Sequence, residues 1–337
     1  MGRYVANRLL QLPLLLLVVS ALVFVVLRLG PGSPVDLATE AARDPREIER
    51  IRHEWGLDRP IYVQYADYVL GVLHGDFGRS FFGNSPVASV VAERFPATLE
   101  LAVLGMILGG LFGISLGVLS AVWERSPIDF LARILALVGI SLPTFWIGLM
   151  LISLLAVNLQ WLPVGGRFDS RTELPTLTRF YLIDALISGR FDVFVDLLKH
   201  IIMPATVLGL FVAGFIARLI RAMVLEALRQ DYTRTARAKG LGEWLVVTRH
   251  ALRNALLPVT TVMGLQFGNL LGGAAVTETV FSWPGLGKLM VDAINVHDFP
   301  QVQASILLLA TTYVVVNLIV DLLYAVIDPR IRYTHAT

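Results

Sequence analysis

The chain has 337 residues, of which 55% are hydrophobic and only 16% charged, and its mean hydropathy is +0.68. Ordinary globular domains carry about 25% charged residues, so this composition excludes a typical soluble protein and predicts an integral membrane protein. The 28 Lys and Arg against 26 Asp and Glu leave a net charge of +2, which excludes a polybasic nucleic-acid binder. The absence of cysteine excludes disulfides, thiolate metal sites and cysteine nucleophiles.

Six apolar windows are long enough to cross a bilayer, which needs about 20 residues per helix. They predict an all-α, polytopic membrane protein with six transmembrane helices, over 9–27, 97–122, 131–157, 201–220, 256–281 and 304–327. The first window has an apolar core longer than the roughly 7–15 residues of a signal peptide. We therefore interpret it as a retained helix.

The segments between the spans divide the chain into two parts. Residues 1–96 are predicted to hold the first transmembrane helix and an external loop region, and residues 97–337 the core transmembrane domain of five helices. Ile48, Ile51 and Trp55 recur at near-helical spacing among charges, which predicts a short amphipathic helix over 45–57. Residues 158–200 are expected to form a second external cap.

Glycine recurs at every fourth position in two of the spans. Small residues at this spacing let helix backbones approach closely where lipid supplies no hydrophobic drive between helices. The pattern predicts a tightly packed bundle with specific helix partners for the second and fifth spans, at Gly105, Gly109, Gly113, Gly117, Gly264, Gly268 and Gly272.

A few polar residues interrupt the spans and are candidates to line a translocation path. Pro143 breaks the third span just after Ser141, and Gln266 and Asn269 lie in the fifth span. Glu278 lies near the outer edge of the fifth span, where an ionisable residue is a functional candidate. Gln266 and Asn269 could equally join helices by hydrogen bonds, and the sequence leaves these two interpretations at even odds.

The basic residues are distributed unevenly between the two sides of the membrane. Residues 218–254 contain eight basic residues and three acidic ones. Cytoplasmic loops carry an excess of Lys and Arg, so this segment is predicted to face the cytoplasm. With six spans, both chain termini are then cytoplasmic.

Catalytic patterns were tested against their structural context and fail. The G-x-S-x-G pattern around Ser115 lies inside an apolar helix with no preceding strand. Gly287-Lys288 lacks the earlier glycine and the following Ser or Thr of a phosphate-binding loop. The six histidines have no metal-ligand spacing. We predict no catalytic residue, no metal site and no cofactor in this chain.

The strongest signal is the segment between the fourth and fifth spans. A helix-prone basic run reaches Lys239, Gly240-Leu241-Gly242 breaks it, and a second basic helix leads to Pro258. Glycine after a last turn rich in Arg and Lys is a helix C-terminal signal. A loop that only fixes topology is the simpler interpretation. Alternating small and basic residues suit the docking of another protein better.

Taken together, these motifs resemble the permease subunits of ATP-binding-cassette importers. The sequence is most similar to the first permease of the dipeptide, oligopeptide and nickel group. The resemblance is carried by GDFGRS at 75–80, RFPATLELA at 94–102, SLPTFWIGL at 141–149, LPVGG at 162–166, DYTRTARAKGL at 231–241, RHALRNALLP at 249–258, ETVFSWPGLGKL at 278–289 and VDLLYAVIDPRIR at 320–332.

The resemblance implies a type I importer permease fold in a bacterial inner membrane and a set of partners. These are a second, homologous permease, two cytoplasmic ATPases that carry ATP and Mg²⁺, an external substrate-binding protein and membrane lipid. The 231–258 segment would dock an ATPase through Tyr232, Arg234, Thr235, Ala236, Arg237, Ala238, Lys239, Gly240 and Leu241. The general family has Glu-Ala-Ala where this chain has Arg234-Thr235-Ala236, so no carboxylate contact is carried over.

Small peptides are the leading substrate, and other cargoes remain open on the same machinery. Nickel chelates, glutathione, opines and oligosaccharides fit it, because the external binding protein largely selects the substrate. Two further hypotheses come from other classes: a secondary transporter that acts alone, and an intramembrane enzyme built on Ser115.

Overall fold

The computed structural model describes residues 2–30, 35, 45–169, 174 and 176–327, and these ranges form helices with one isolated bridge, between Arg79 and Pro86. The all-α prediction is therefore confirmed. The helices are α1 (Gly2–Leu29), α2 (Pro45–Glu54), α3 (Ile61–Leu73), α4 (Val87–Val122), α5 (Pro127–Ser141), α6 (Thr144–Leu151), α7 (Tyr181–Ile187), α8 (Phe191–Leu228), α9 (Asp231–Ala238), α10 (Arg253–Val280), α11 (Leu286–Asn295) and α12 (Phe299–Ile327).

Five of these helices, α1, α4, α8, α10 and α12, are each long and apolar enough to cross a membrane. The third predicted span is instead a broken pair. Helix α5 ends at Ser141, and the chain bends by 107° before α6 begins at Thr144. Helix α6 then continues as a π-helical stretch, Ile152–Asn158. Pro143 immediately precedes α6, where its fixed φ suits a helix start and excludes continuation of α5. Counted as one span, the pair gives six.

Helices α4 and α8 form the centre of the bundle and pack along the glycine stripe. A Cβ added at Gly109 would lie 2.7 Å from the carbonyl oxygen of Gly209, and one at Gly113 would lie 2.7 Å from Cβ of Ile216. Real side-chain carbons do not come this close, so the two backbones meet only because these positions carry no side chain. The predicted packing role of this stripe is confirmed.

The second stripe holds α10 against α12. Gly264 lies against Val320, and Gly268 lies against the ring of Tyr313. Gly272 differs, because no described atom comes within 4 Å of a Cβ placed there. The fifth span is therefore closely packed at two of the three predicted positions and open at the third.

The end of the bundle that carries the C-terminus of α1 and the start of α12 is covered by short elements. The predicted helix over 45–57 is present as α2, where Trp55 stacks on Phe81 with ring centroids 4.4 Å apart. The predicted second cap contains α7 and a buried ion pair, in which Arg167 Nη2 donates to Glu100 Oε2 over 2.6 Å. The second cap therefore binds α4 through Glu100, and the first contacts α12, where the ring centroids of Phe81 and Phe299 lie 6.2 Å apart.

Two predictions about the chain's organisation remain predictions. The boundary placed between residues 96 and 97 falls inside α4, which runs without a break from Val87 to Val122. The segment 328–337, predicted to be cytoplasmic, lies outside the described residues.

Candidate docking surface and path residues

The predicted docking segment forms a short helix, α9, that is fixed to the end of α8. Helix α8 ends at Leu228, two residues break the chain direction, and α9 starts at Asp231. The Thr233 hydroxyl is fully buried and lies within hydrogen-bond distance of three main-chain carbonyls where α8 leads into α9, and the nearest acceptor is the carbonyl of Gln230 at 2.6 Å. Carbonyls in the last turn of a helix lack the N–H donors of a following turn, so a hydroxyl buried against them helps to hold α9 in place.

Gly240 ends α9 in a left-handed turn. Its φ is +78°, its N–H donates to the carbonyl of Arg237, and the N–H of Leu241 donates to the carbonyl of Ala236. This pair of bonds is the Schellman arrangement, for which glycine is preferred because it has no Cβ. The predicted break at Gly240 is confirmed. No described atom lies within 4 Å of a Cβ at this position, so the backbone angle, and not crowding within the chain, requires glycine.

A bidentate ion pair closes the turn. Arg237 Nε and Nη2 donate to the two carboxylate oxygens of Glu243 over 2.9 and 2.6 Å. This guanidinium holds the pKa of Glu243 below its ordinary value. Because both side chains are well exposed, the pair adds little stability. Its planar geometry does fix the direction in which the chain leaves the turn.

The chain then returns to the membrane through an irregular helix. A short turn, Glu243–Leu245, continues as π-helical residues Val246–Leu252 and runs without a break into α10. Val247 and Ala251 are buried in the same hydrophobic cluster as the end of α8. The docking segment is thus joined covalently to two spans and packed against both.

Most of the predicted docking residues are accessible. Ala236 is the exception, because it is 5% exposed and faces inward with Thr233. Leu241 is half-buried. The remaining ones are exposed: Tyr232, Arg234, Thr235, Arg237, Ala238, Lys239 and Gly240.

Two apolar residues on this surface were missed by the sequence analysis. Trp244 is 64% exposed and Leu245 is 40% exposed, immediately after the turn. An aromatic residue exposed among basic ones is a common anchor in protein interfaces. The signal in the sequence was a tryptophan within a polar, charged loop, where no membrane or core burial accounts for it. We define the docking surface as the exposed residues of 231–245.

A buried carboxylate next to this end of the bundle ties three helices together. Asp129 of α5 is 1% exposed, and Arg221 of α8 donates to its two oxygens over 2.9 and 3.0 Å. Ser120 of α4 and Arg133 also contact the same carboxylate. Since α4, α5 and α8 meet here, a displacement at the end of α8 is shared by its neighbours.

The path candidates Gln266 and Asn269 form a pair one turn apart on α10. Asn269 Nδ2 donates to Gln266 Oε1 over 2.9 Å. Gln266 is 7% exposed, and its Nε2 has no partner among the described residues. Asn269 belongs to an exposed stripe of α10 that also contains Leu265, Gly272, Gly273, Val276 and Thr279. A purely lipid-facing stripe would be apolar, so this composition favours a wet or protein-covered face.

Glu278 is placed differently from the other candidates. It is fully buried, accepts a hydrogen bond from Thr98 Oγ1 over 2.6 Å and accepts another from the main-chain N–H of Lys288 over 2.8 Å. Thr98 in turn accepts a bond from the N–H of Leu286. A carboxylate at a helix N-terminus satisfies its free N–H groups and complements its dipole. The geometry therefore gives Glu278 a structural contact that joins α4, α10 and α11.

Ser141 is exposed and occupies the last position of α5, at the bend before Pro143. It is not brought together with Gln266, Asn269 or Glu278 by any hydrogen bond described here. A path role for these four residues stays a prediction.

Known proteins of similar sequence match nearly the whole chain. Residues 113–333 match the family described as binding-protein-dependent transport system inner membrane component, and residues 1–102 match its N-terminal counterpart. The chain is 47% identical to a di/tripeptide transport system permease protein of Pseudomonas aeruginosa over 94% of both chains. It is also 47% identical to a dipeptide transport system permease protein of Escherichia coli strain K12, again over 94% of both chains. With a glutathione transport system permease protein of Salmonella typhimurium it shares 42% identity over 99% of this chain and 100% of the other.

Proposed function

The chain belongs to the family of binding-protein-dependent transport system inner membrane components, and from this premise we propose that it forms half of the path of an ATP-driven importer for small peptides. A second, homologous permease would supply the other half. Two cytoplasmic ATPases would bind ATP and Mg²⁺ and drive the cycle. An external binding protein would deliver the substrate. Because ATP would be hydrolysed on the ATPases, catalysis would lie outside this chain.

The observation that carries the proposal is the docking surface on 231–245. It presents basic and aromatic side chains to solvent, it contacts the end of α8 through Thr233, and it continues through residues 246–252 into α10. A partner that moves this surface therefore moves two spans together. Rigid-body motion of packed helices is the usual way to alternate access to a membrane path.

The exposed stripe of α10 supports the position of the path. It contains Asn269 and two glycines, and it is covered by no other described part of this chain. A second permease packed along this stripe would bury it and leave a path between the two subunits. Glu278 would then support the path from within the protein rather than line it.

The orientation follows from the charge of the docking surface. Basic residues concentrate on the cytoplasmic side of membrane proteins, and soluble ATPases are reached only from there. The docking surface and both chain termini are therefore assigned to the cytoplasm. The end that carries α2, α3 and α11 then faces outward, where a binding protein would contact it.

The substrate class rests on the relatives. Those reported above are named for dipeptides, for di- and tripeptides and for glutathione, which is itself a tripeptide. Small peptides account for all three names. Nickel chelates, opines and oligosaccharides are supported by none of them.

The deciding experiment is reconstitution of the complex purified from its native host. We expect two ATPase copies per permease pair, and dipeptide uptake into proteoliposomes that requires ATP and the binding protein. Uptake that persists without ATPase subunits would instead identify a secondary transporter.

Trp244→Ala tests the docking surface, because truncating an interface tryptophan costs about 2 kcal/mol or more, roughly 30-fold in affinity for the ATPase.

The matched control is Trp161→Ala, which removes another exposed tryptophan at the opposite end of the bundle. It should leave ATPase binding unchanged. Equal retention of the ATPase by the two variants would remove Trp244 from the docking surface and weaken the assignment of 231–245.

A further inference from the structure

A cavity of about 640 Å³ opens at the end of the bundle opposite the docking surface. Its walls come from the end of α1, from α2 and α3, from the loop 76–84 and from the start of α12. This volume falls within the range of small-molecule sites, about 300–1,000 Å³. Neither the docking surface nor the exposed stripe of α10 includes any of these residues.

Three hydrogen-bond donors in the cavity wall have no partner among the described residues. They are Arg28 Nη1, Tyr68 Oη and Gln303 Nε2, and each atom is buried. Gln303 as a whole is only 5% exposed. Buried donors without acceptors are unfavourable and uncommon, so three of them on residues that line one cavity point to a ligand that accepts hydrogen bonds.

The positions of these donors are fixed by their surroundings. Arg28 Nε donates to Gln64 Oε1 over 2.8 Å, and its guanidinium carbon lies 3.4 Å from the ring centroid of Phe24. Burial raises the pKa of Tyr68 to about 12, so its phenol stays protonated and can donate. A guanidinium beside two neutral donors suits a carboxylate, which offers about four acceptor positions.

The rest of the wall carries three carboxylates, a second guanidinium and an aromatic face. Glu54, Asp67 and Asp76 line the cavity with exposed carboxylates beside Arg79, and Asp67 is already paired with Arg59 over 3.0 Å. The rings of Trp55 and Phe81 are stacked in the same wall. A ligand with only negative charge would meet three carboxylates here. A ligand with both charges would match both parts of the wall.

We propose that this cavity binds a small zwitterion, the free short peptide, with its carboxylate on Arg28, Tyr68 and Gln303 and its ammonium group toward the acidic rim. The inference rests on the proposed function for the choice of peptide. It adds an outer site on the permease itself, separate from the path and from the binding protein. The aromatic face would take an apolar side chain of the peptide.

A phospholipid head group also carries both charges, and the position of the cavity disfavours it. Only Arg28, Pro300 and Gln303 of the lining belong to membrane-spanning helices, and they lie at the ends of those helices. The remaining wall comes from segments outside the spans. The ligand would therefore enter from the water.

Trp55 supplies the readout, since its indole lines the cavity. The intact complex, purified without binding protein, is titrated with Ala-Ala while tryptophan emission is followed. We expect a saturable change that Trp55→Phe abolishes. Ala-Ala amide, which lacks the carboxylate, should bind about tenfold or more weakly, the loss expected for a charged hydrogen bond. Gln303→Leu should weaken Ala-Ala similarly, whereas Arg190→Met, at an exposed arginine paired with Asp192, should not.

The peptide amide leaves the protein unchanged, so the test does not depend on any variant folding. Equal binding of Ala-Ala and its amide, or no change in emission, overturns the inference. A change produced by phosphatidylethanolamine nanodiscs and not by peptide identifies a lipid site and also overturns it. If ATP-dependent uptake with the binding protein persists in either case, the proposed importer function still holds and only the outer peptide site is refuted.

Discussion

Replacing Gly240 tests how strictly the docking surface depends on its turn. The φ of +78° at this position costs an L-residue about 1–2 kcal/mol relative to glycine. Nothing described lies near an added Cβ, so Gly240→Ala isolates this backbone term from steric clash. A cost of this size lowers the ratio of ordered to disordered turn by a factor of about 5–30. Gly240→Asn should be milder, since asparagine tolerates the left-handed region.

The assay is the ratio of peptide uptake to ATP hydrolysis in proteoliposomes, measured together with the amount of ATPase that co-purifies. Gly242→Ala is the matched control, because Gly242 is also exposed in the same turn but has an ordinary φ of −63°. We expect Gly240→Ala to lose more ATPase retention and coupling than Gly240→Asn. Gly242→Ala should behave nearly like the wild type. Equal behaviour of Gly240→Ala and Gly242→Ala would refute the reasoning.

Three further predictions concern packing, the buried carboxylate and pH. Gly113→Ala should destabilise the complex by about 1–3 kcal/mol through overpacking. Gly110→Ala should be tolerated, since a Cβ there meets only the flexible end of a methionine side chain. Thermal unfolding in detergent compares the stability of the two variants. Arg221→Met should lower the unfolding temperature more than Arg133→Met, because Arg221 makes the bidentate bond. The remaining partners should keep its cost below the about 3–5 kcal/mol of an isolated buried charge, and equal effects would contradict this assignment. The pKa of Glu243 is depressed from its ordinary 4.5, so the small stabilisation that its ion pair with Arg237 gives the turn is fully present above pH 4.5 and is lost as pH falls through the folded-state pKa. Amide exchange in α9 should rise modestly over that fall, and should rise less in Glu243→Gln.

The features predicted well from the sequence are those that repeat along a helix. The apolar windows mark spans because the bilayer demands a run of about 20 such residues. The stripe at Gly105 to Gly117 predicts close packing because its period places glycine on one face. Gly240 marks the end of α9 because few other residues adopt its φ.

The features missed depend on contacts between distant segments. Pro143 marks a break, but the 107° bend follows from how α6 packs on α10 and α8. Glu278 is an ionisable residue at the edge of a span, and only the fold brings Thr98 and the N-terminus of α11 to it. The outer cavity joins Arg28 to Gln303 across almost the whole chain, and no local pattern encodes that meeting.

Helix α8 has 38 residues, which at 1.5 Å each gives about 57 Å. A bilayer with its head groups is about 40–45 Å thick, so α8 is longer than the membrane it crosses. Its apolar window ends near residue 220, and the helix continues to Leu228, about 12 Å further. With residues 201–220 in the hydrocarbon core, this overhang would hold the docking surface beyond the lipid head groups. In the proposed complex an ATPase would bind this surface away from the membrane, and its binding should be insensitive to the charge of the surrounding lipid.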